Sequence, residues 1–120
     1  MYQLALRLKS RAGKTHEMLQ ALRSVMLPAE FEVGSMGCSL SAQVDEVDSL
    51  QYREDWCTRE DLEREIRSVR FGRLLAVIEC ADGLPTLEVH FISETQGWDY
   101  IRQLRGEADL TGASNGDVDR

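Results

Sequence analysis

The chain has 120 residues, 42% hydrophobic and 29% charged, with a formal net charge of -7 and an isoelectric point near 4.8. That length supports one hydrophobic core but not two, and the acidity argues against a nucleic acid partner, because phosphate contacts need a basic patch. Cys38, Cys57 and Cys80 are too few and too irregularly spaced for a disulfide framework or a Cys-x-x-Cys metal site, which points to a reducing, cytoplasmic setting. Gln3, Arg7 and Lys9 interrupt the apolar N-terminus, so neither a signal sequence nor a membrane span is expected.

From Tyr2 to Lys9, the residues Tyr2, Leu4, Leu6 and Leu8 alternate with Gln3, Ala5, Arg7 and Lys9, which predicts a strand. Met18, Leu19, Leu22, Val25 and Met26 then recur at helical spacing, with Pro28 as the stop signal. After the glycine-rich segment around Gly34 and Gly37, alternation at Leu40, Ala42 and Val44 predicts a second strand. An acidic turn leads to a third from Leu50 to Trp56, and the two form a hairpin. Thr58 is a suitable N-cap for the next helix, whose outer face pairs Glu60 with Arg64 and Glu63 with Arg67. The helical pattern continues through Leu62, Ile66 and Val69 to a second stripe of Phe71, Leu74, Leu75 and Ile78, with a break at Ser68 as one option. Leu87, Val89 and Phe91 give a fourth strand, and Trp98, Ile101 and Leu104 a short amphipathic segment. The domain is expected to span residues 1–106. Residues 107–120, with Glu107, Asp109, Asp117 and Asp119 and few large apolar groups, read as a flexible acidic tail.

The order βαββαβ predicts an α+β, ferredoxin-like fold, a four-stranded antiparallel sheet with its helices on one face. The other face then carries Ala5, Arg7, Ser39, Ser41, Gln43, Gln51, Arg53, Glu88, His90 and Ile92. It is polar and mixed in charge, suited to water or to a second copy of itself, and Arg7, Arg53, Glu88 and His90 are the candidate interface residues.

Gly37-Cys38, Tyr52-Arg53-Glu54-Asp55-Trp56, the run Asp61–Ser68 and the run Phe71–Leu75 occur in an order and spacing that resemble the antibiotic biosynthesis monooxygenase-type domain over roughly the first three quarters of the chain. The resemblance implies a homodimer in which two sheets close back to back into an αβ barrel, with a pocket between each sheet and its own helices. It implies less about chemistry, since relatives range from cofactor-free oxygenation of quinols and aromatic polyketides to haem degradation and isomerisation. Many relatives carry His in a His-Leu-x-Ser pattern where this chain has Glu65-Ile66-Arg67-Ser68, and Pro where it has Met36. Haem-degrading relatives use an Asn on the first strand and a late helical His, whereas here Asn occurs only at position 115 and His only at His16 and His90, which argues against that chemistry.

Glu54 and Trp56 share a strand face with Tyr52, which sets a carboxylate beside an indole on the helix side. Desolvation there raises a carboxyl pKa and suits Glu54 to take a proton from a phenol or quinol, whose anion reduces oxygen without any cofactor. Tyr52, Trp56, His16 and Phe71 are the candidate substrate-binding residues. The competing reading makes Glu54 a carboxylate held by an arginine or a helix N-terminus and Trp56 a core residue. Two histidines without companion ligands give no metal site, and no phosphate-cradling loop or hydrolytic triad is present. Two functions therefore stand open: a small cofactor-independent monooxygenase acting on a hydroxylated aromatic or quinol, and a non-catalytic dimeric αβ-barrel module that binds a small molecule or a protein.

Overall fold

The structure is a computed structural model that describes residues 1–106; the expected acidic tail lies outside the described residues. The elements run β1 (Tyr2–Lys9), α1 (Thr15–Glu30), β2 (Ser35–Ala42), β3 (Ser49–Trp56), α2 (Arg59–Ile66), α3 (Val69–Ile78), β4 (Thr86–Phe91) and α4 (Trp98–Leu104). The strands form one antiparallel sheet in the order β2-β3-β1-β4, the ferredoxin-like arrangement. In α1 the spacing of Met18, Leu22, Val25 and Ala29 buries one stripe. That stripe meets Leu4, Leu6 and Leu8 of β1, Leu50, Tyr52 and Trp56 of β3, and Leu62, Phe71 and Leu74 of the later helices. Each large side chain buried there contributes about 1.5–3 kcal/mol.

Four local expectations are corrected. The second strand begins at Ser35, in the segment read as a glycine-rich loop, because a bulge between Ser35 and Gly37 absorbs the irregularity and Gly37 takes a φ of 123° that suits glycine. The strand ends at Ala42, so Gln43 and Val44 belong to the turn, and Val44 is fully exposed. Pro28 sits inside α1, in its last turn, where it forgoes one N–H bond to the Ser24 carbonyl and the helix ends two residues later at Glu30. Arg64 pairs with Asp61 at 3.0 Å rather than with Glu60, while Glu63 is shared by Arg59 at 3.1 Å and Arg67 at 3.7 Å.

The long helical stretch is broken at Ser68. Its Oγ donates to the Glu65 carbonyl at 2.7 Å, closing α2, and accepts from the Phe71 N–H at 3.1 Å, opening α3. Thr58 caps α2 as expected, accepting from the Asp61 N–H at 3.1 Å. The α1–β2 loop comes close to the first turn of α2. A Cβ on Gly34, whose φ is 89°, would fall 2.1 Å from the Asp61 carboxyl, so the loop can lie there only with glycine. At the other end of the sheet Asp48, with a φ of 64°, accepts from the Thr15 hydroxyl at 2.5 Å, and Thr15 meets Ser10 at 2.7 Å, which ties the start of α1 to the β2–β3 turn.

Candidate functional site

Strand alternation brings Leu50, Tyr52, Glu54 and Trp56 to the helix side of β3, and none is more than 1% exposed. Glu54 lies between Leu4 of β1 and Cys38 of β2 in the sheet register. One carboxylate oxygen accepts the Tyr52 hydroxyl at 2.5 Å and the other accepts the Trp56 indole N–H at 3.2 Å. The same-face i±2 spacing thus supplies two donors to one buried carboxylate.

The third neighbour comes from α2. Glu65 is three residues after Leu62 on the buried stripe, is 2% exposed, and stands within hydrogen-bonding reach of Glu54. Arg70, at the start of α3, holds Glu65 in a close ion pair through Nη2 and reaches Glu32 at 3.3 Å through Nη1. Two buried carboxyls, Glu54 and Glu65, therefore share one guanidinium, so one negative charge too many would be buried if both were ionised, while Glu32 stands half-exposed. The Glu54 carboxyl is pushed up to about 7, chiefly by burial and further by the Glu65 charge, against the opposing pull of the Tyr52 and Trp56 hydrogen bonds. Burial and the Glu54 carboxylate also push the Cys38 thiol up to about 12 and raise the Tyr52 hydroxyl. Glu54 is a carboxyl that both holds and gives up its proton near neutral pH.

Solvent approaches this chain through Glu65. A cleft of about 250 Å3 between the α1–β2 loop and the α2–α3 junction has Val33, Trp56, Glu65, Ser68 and Arg70 in its wall. A larger one of about 460 Å3 lies between α1 and α3 beside Met18, Val77 and Cys80. A shallow groove of about 240 Å3 crosses the polar sheet face. Glu54 is in the wall of none of the three.

The four candidate lining residues do not share one cavity. Trp56 borders the 250 Å3 cleft with its bulk buried, and Tyr52 is buried against Glu54. Phe71 packs in the core, and His16 lies exposed on the outer side of α1. Arg7, Arg53, Glu88 and His90 do come together, along the groove on the polar face, where His90 meets Glu88 at 2.9 Å and Arg53 meets Asp55 at 3.5 Å. Glu65 and Arg70 escaped the sequence reading, although the three-residue spacing of Glu65 from Leu62 already placed a carboxylate on the apolar stripe. Among the described residues no group of three His, Cys, Asp or Glu is placed to hold a metal ion, and no helix is long and apolar enough to cross a membrane.

No protein-family model and no curated protein matches the sequence. Solved structures do share the fold. A protein from Deinococcus radiodurans, provisionally named an antibiotic biosynthesis monooxygenase, superposes with a TM-score of 0.72 at 12% identity, over 82% of this chain and 98% of its own. One from Nitrosomonas europaea with the same provisional name gives 0.68 at 15% identity, over 78% of this chain and all of its own. Rv0793 from Mycobacterium tuberculosis gives 0.69 at 16% identity, over 80% of this chain and 98% of its own. The fold is thus that of the antibiotic biosynthesis monooxygenase-type proteins, as the sequence motifs implied.

Proposed function

We propose that the protein is a cofactor-independent monooxygenase for a small hydroxylated aromatic or quinol, working as a homodimer in the cytoplasm. The observation that supports this reading is the buried Glu54, able to take a proton near pH 7, with Glu65 beside it in the cleft wall next to the Trp56 indole. A hydroquinone held against Trp56 gives its hydroxyl proton to the carboxylate pair, and its electron-rich anion passes electrons to dioxygen, which bonds to a ring carbon. Loss of water then leaves a hydroxyquinone. One hydroquinone and one dioxygen become one hydroxyquinone and one water, and all four electrons come from the ring. Glu54 stores the proton and returns it as the peroxide O–O bond breaks, so that the departing oxygen leaves as water.

The test is oxygen uptake by purified protein given an easily ionised hydroquinone. Uptake faster than the spontaneous reaction is expected, with kcat/KM rising as the pH passes through about 7 and Glu54 loses its proton. Glu54→Gln should lower the rate by roughly a hundredfold and remove that inflection. The second reading, a non-catalytic dimeric module that binds a small aromatic molecule, is favoured by the complete enclosure of Glu54. No uptake above background, with a melting temperature that still rises on adding the aromatic, selects it.

A further inference from the structure

Two apolar surfaces of this chain lack cover, and they match. Helices α1 and α2 pack over β1, β2 and β3, with α3 against α1, so the helix-side row of β4 stays largely open, with Leu87 37%, Val89 40% and Phe91 57% exposed and the Arg59 guanidinium 4.8 Å from the Phe91 ring centre. This row extends the core directly, because Leu87, Val89 and Phe91 stand beside Leu6, Leu4 and Tyr2 in the register. The other surface is α4, no residue of which is buried: Trp98 and Leu104 are 70% exposed and Ile101 44%. A seven-residue helix does not hold together alone in water, so its stripe needs a surface. From Trp98 to Leu104 that stripe is about 10 Å long; the β4 row from Leu87 to Phe91 is about 13 Å.

We propose that α4 of each chain lies on the β4 row of a second copy, a reciprocal exchange in which each chain supplies one arm and one acceptor. The start of the arm favours the partner over the helix's own strand. The Ile92 N–H donates to the Met1 carbonyl at 2.8 Å and the Met1 ammonium donates to the Ile92 carbonyl at 3.1 Å. These bonds hold the chain in line with β4 up to Ile92, and from there α4 stands clear of its own strand, with none of its residues buried. The six residues 92–97 then reach up to about 20 Å, enough to span to a neighbouring subunit. One two-fold axis satisfies both surfaces in both chains, so the assembly closes at two.

The exchange rests on the pairing of two copies proposed above, and the experiment separates the two claims. Full-length chains with Cys38, Cys57 and Cys80 replaced by alanine are made in two forms, one bearing Ile101→Cys and the other, with a longer tag, bearing Val89→Cys. The two forms are mixed, unfolded, refolded together and treated with a short bismaleimide. A joined product containing both tags, with the peptides around positions 89 and 101 linked, is the expected result. If a chain bearing both cysteines links only within itself and the mixture gives no mixed product, α4 folds back and the exchange is overturned. A mixed product that forms with Val33→Cys in place of Val89→Cys overturns the β4 acceptor, since Phe31, Val33 and Met36 form the other exposed apolar patch near that end of the sheet. A dimer by light scattering that forms no mixed product overturns the exchange while the pairing stands; a monomeric wild-type chain overturns both.

Discussion

Glu54 sets a pH dependence on the whole fold. Its carboxyl lies at about 7 in the folded chain against an ordinary 4.5, so between those values the folded state binds more protons than the unfolded state. Stability is therefore highest below pH 4.5 as far as this group is concerned, falls as the pH rises through 7, and is then lower by ~3 kcal/mol. Glu54→Gln cannot ionise, and its amide can donate to Glu65 while the Tyr52 hydroxyl turns to accept. Urea denaturation at pH 5 and pH 8 should show a wild-type loss that the variant lacks, with the variant the more stable of the two at pH 8. Parallel losses in both chains would mean that the proton resides elsewhere. This cost is carried at the same position where the proposed chemistry needs a proton acceptor, which is how a functional group comes to sit in a core that leucine would fill more cheaply.

At the scale of the elements, the junction between α2 and α3 decides where the carboxyl pair meets the cleft. Ser68 ends one helix and begins the next with a single hydroxyl, and Glu65 and Arg70 lie on either side of it. Ser68→Ala removes both bonds and should cost about 1 kcal/mol by thermal or urea unfolding. It should also loosen Arg70, so a variant as stable as the wild type would show that the ion pair alone fixes the break. What the sequence disclosed follows the same line between local and distant causes. Alternation along β1 and β3 is enforced by neighbours two residues apart, so Tyr52, Glu54 and Trp56 were assigned to one face correctly. The start of β2 was hidden because Gly34 and Gly37 look like loop residues, and only the strand opposite reveals the bulge. By spacing alone Ile66 and Val69 continue the stripe of Leu62, yet the break rotates them outward to 37% and 78% exposure and leaves Glu65 facing in. That Glu65 meets Glu54 and Arg70 meets Glu32 depends on how helices dock on a sheet, which no local period encodes.

For the whole molecule the polar sheet face is the surface on which two copies are expected to meet. Arg7 and Arg53 there balance Asp55 and Glu88, and Lys9 at the margin adds one cation, so two copies can meet on this face with little net charge. Arg53→Glu changes the balance inside that margin to one cation against three anions, and the repulsion is doubled across a two-fold axis. Association measured by sedimentation at low salt should weaken roughly tenfold or more, and added salt should restore part of it. A variant that associates as tightly as the wild type would place Arg53 in water. The sheet order has a consequence for how the chain comes to be folded at all. β1 is synthesised first yet sits in the interior of the sheet, with Tyr2 paired to Trp56 on one side and to Phe91 on the other. Each of these pairings closes a long loop before any contact repays its entropy. Until Thr86–Phe91 has left the ribosome, β1 keeps an open edge of unpaired N–H and C=O groups beside Leu4 and Leu6. The sheet is therefore completed only after its last strand has emerged, and the interval before β4 arrives is when the nascent protein is most exposed to pairing with the wrong strand.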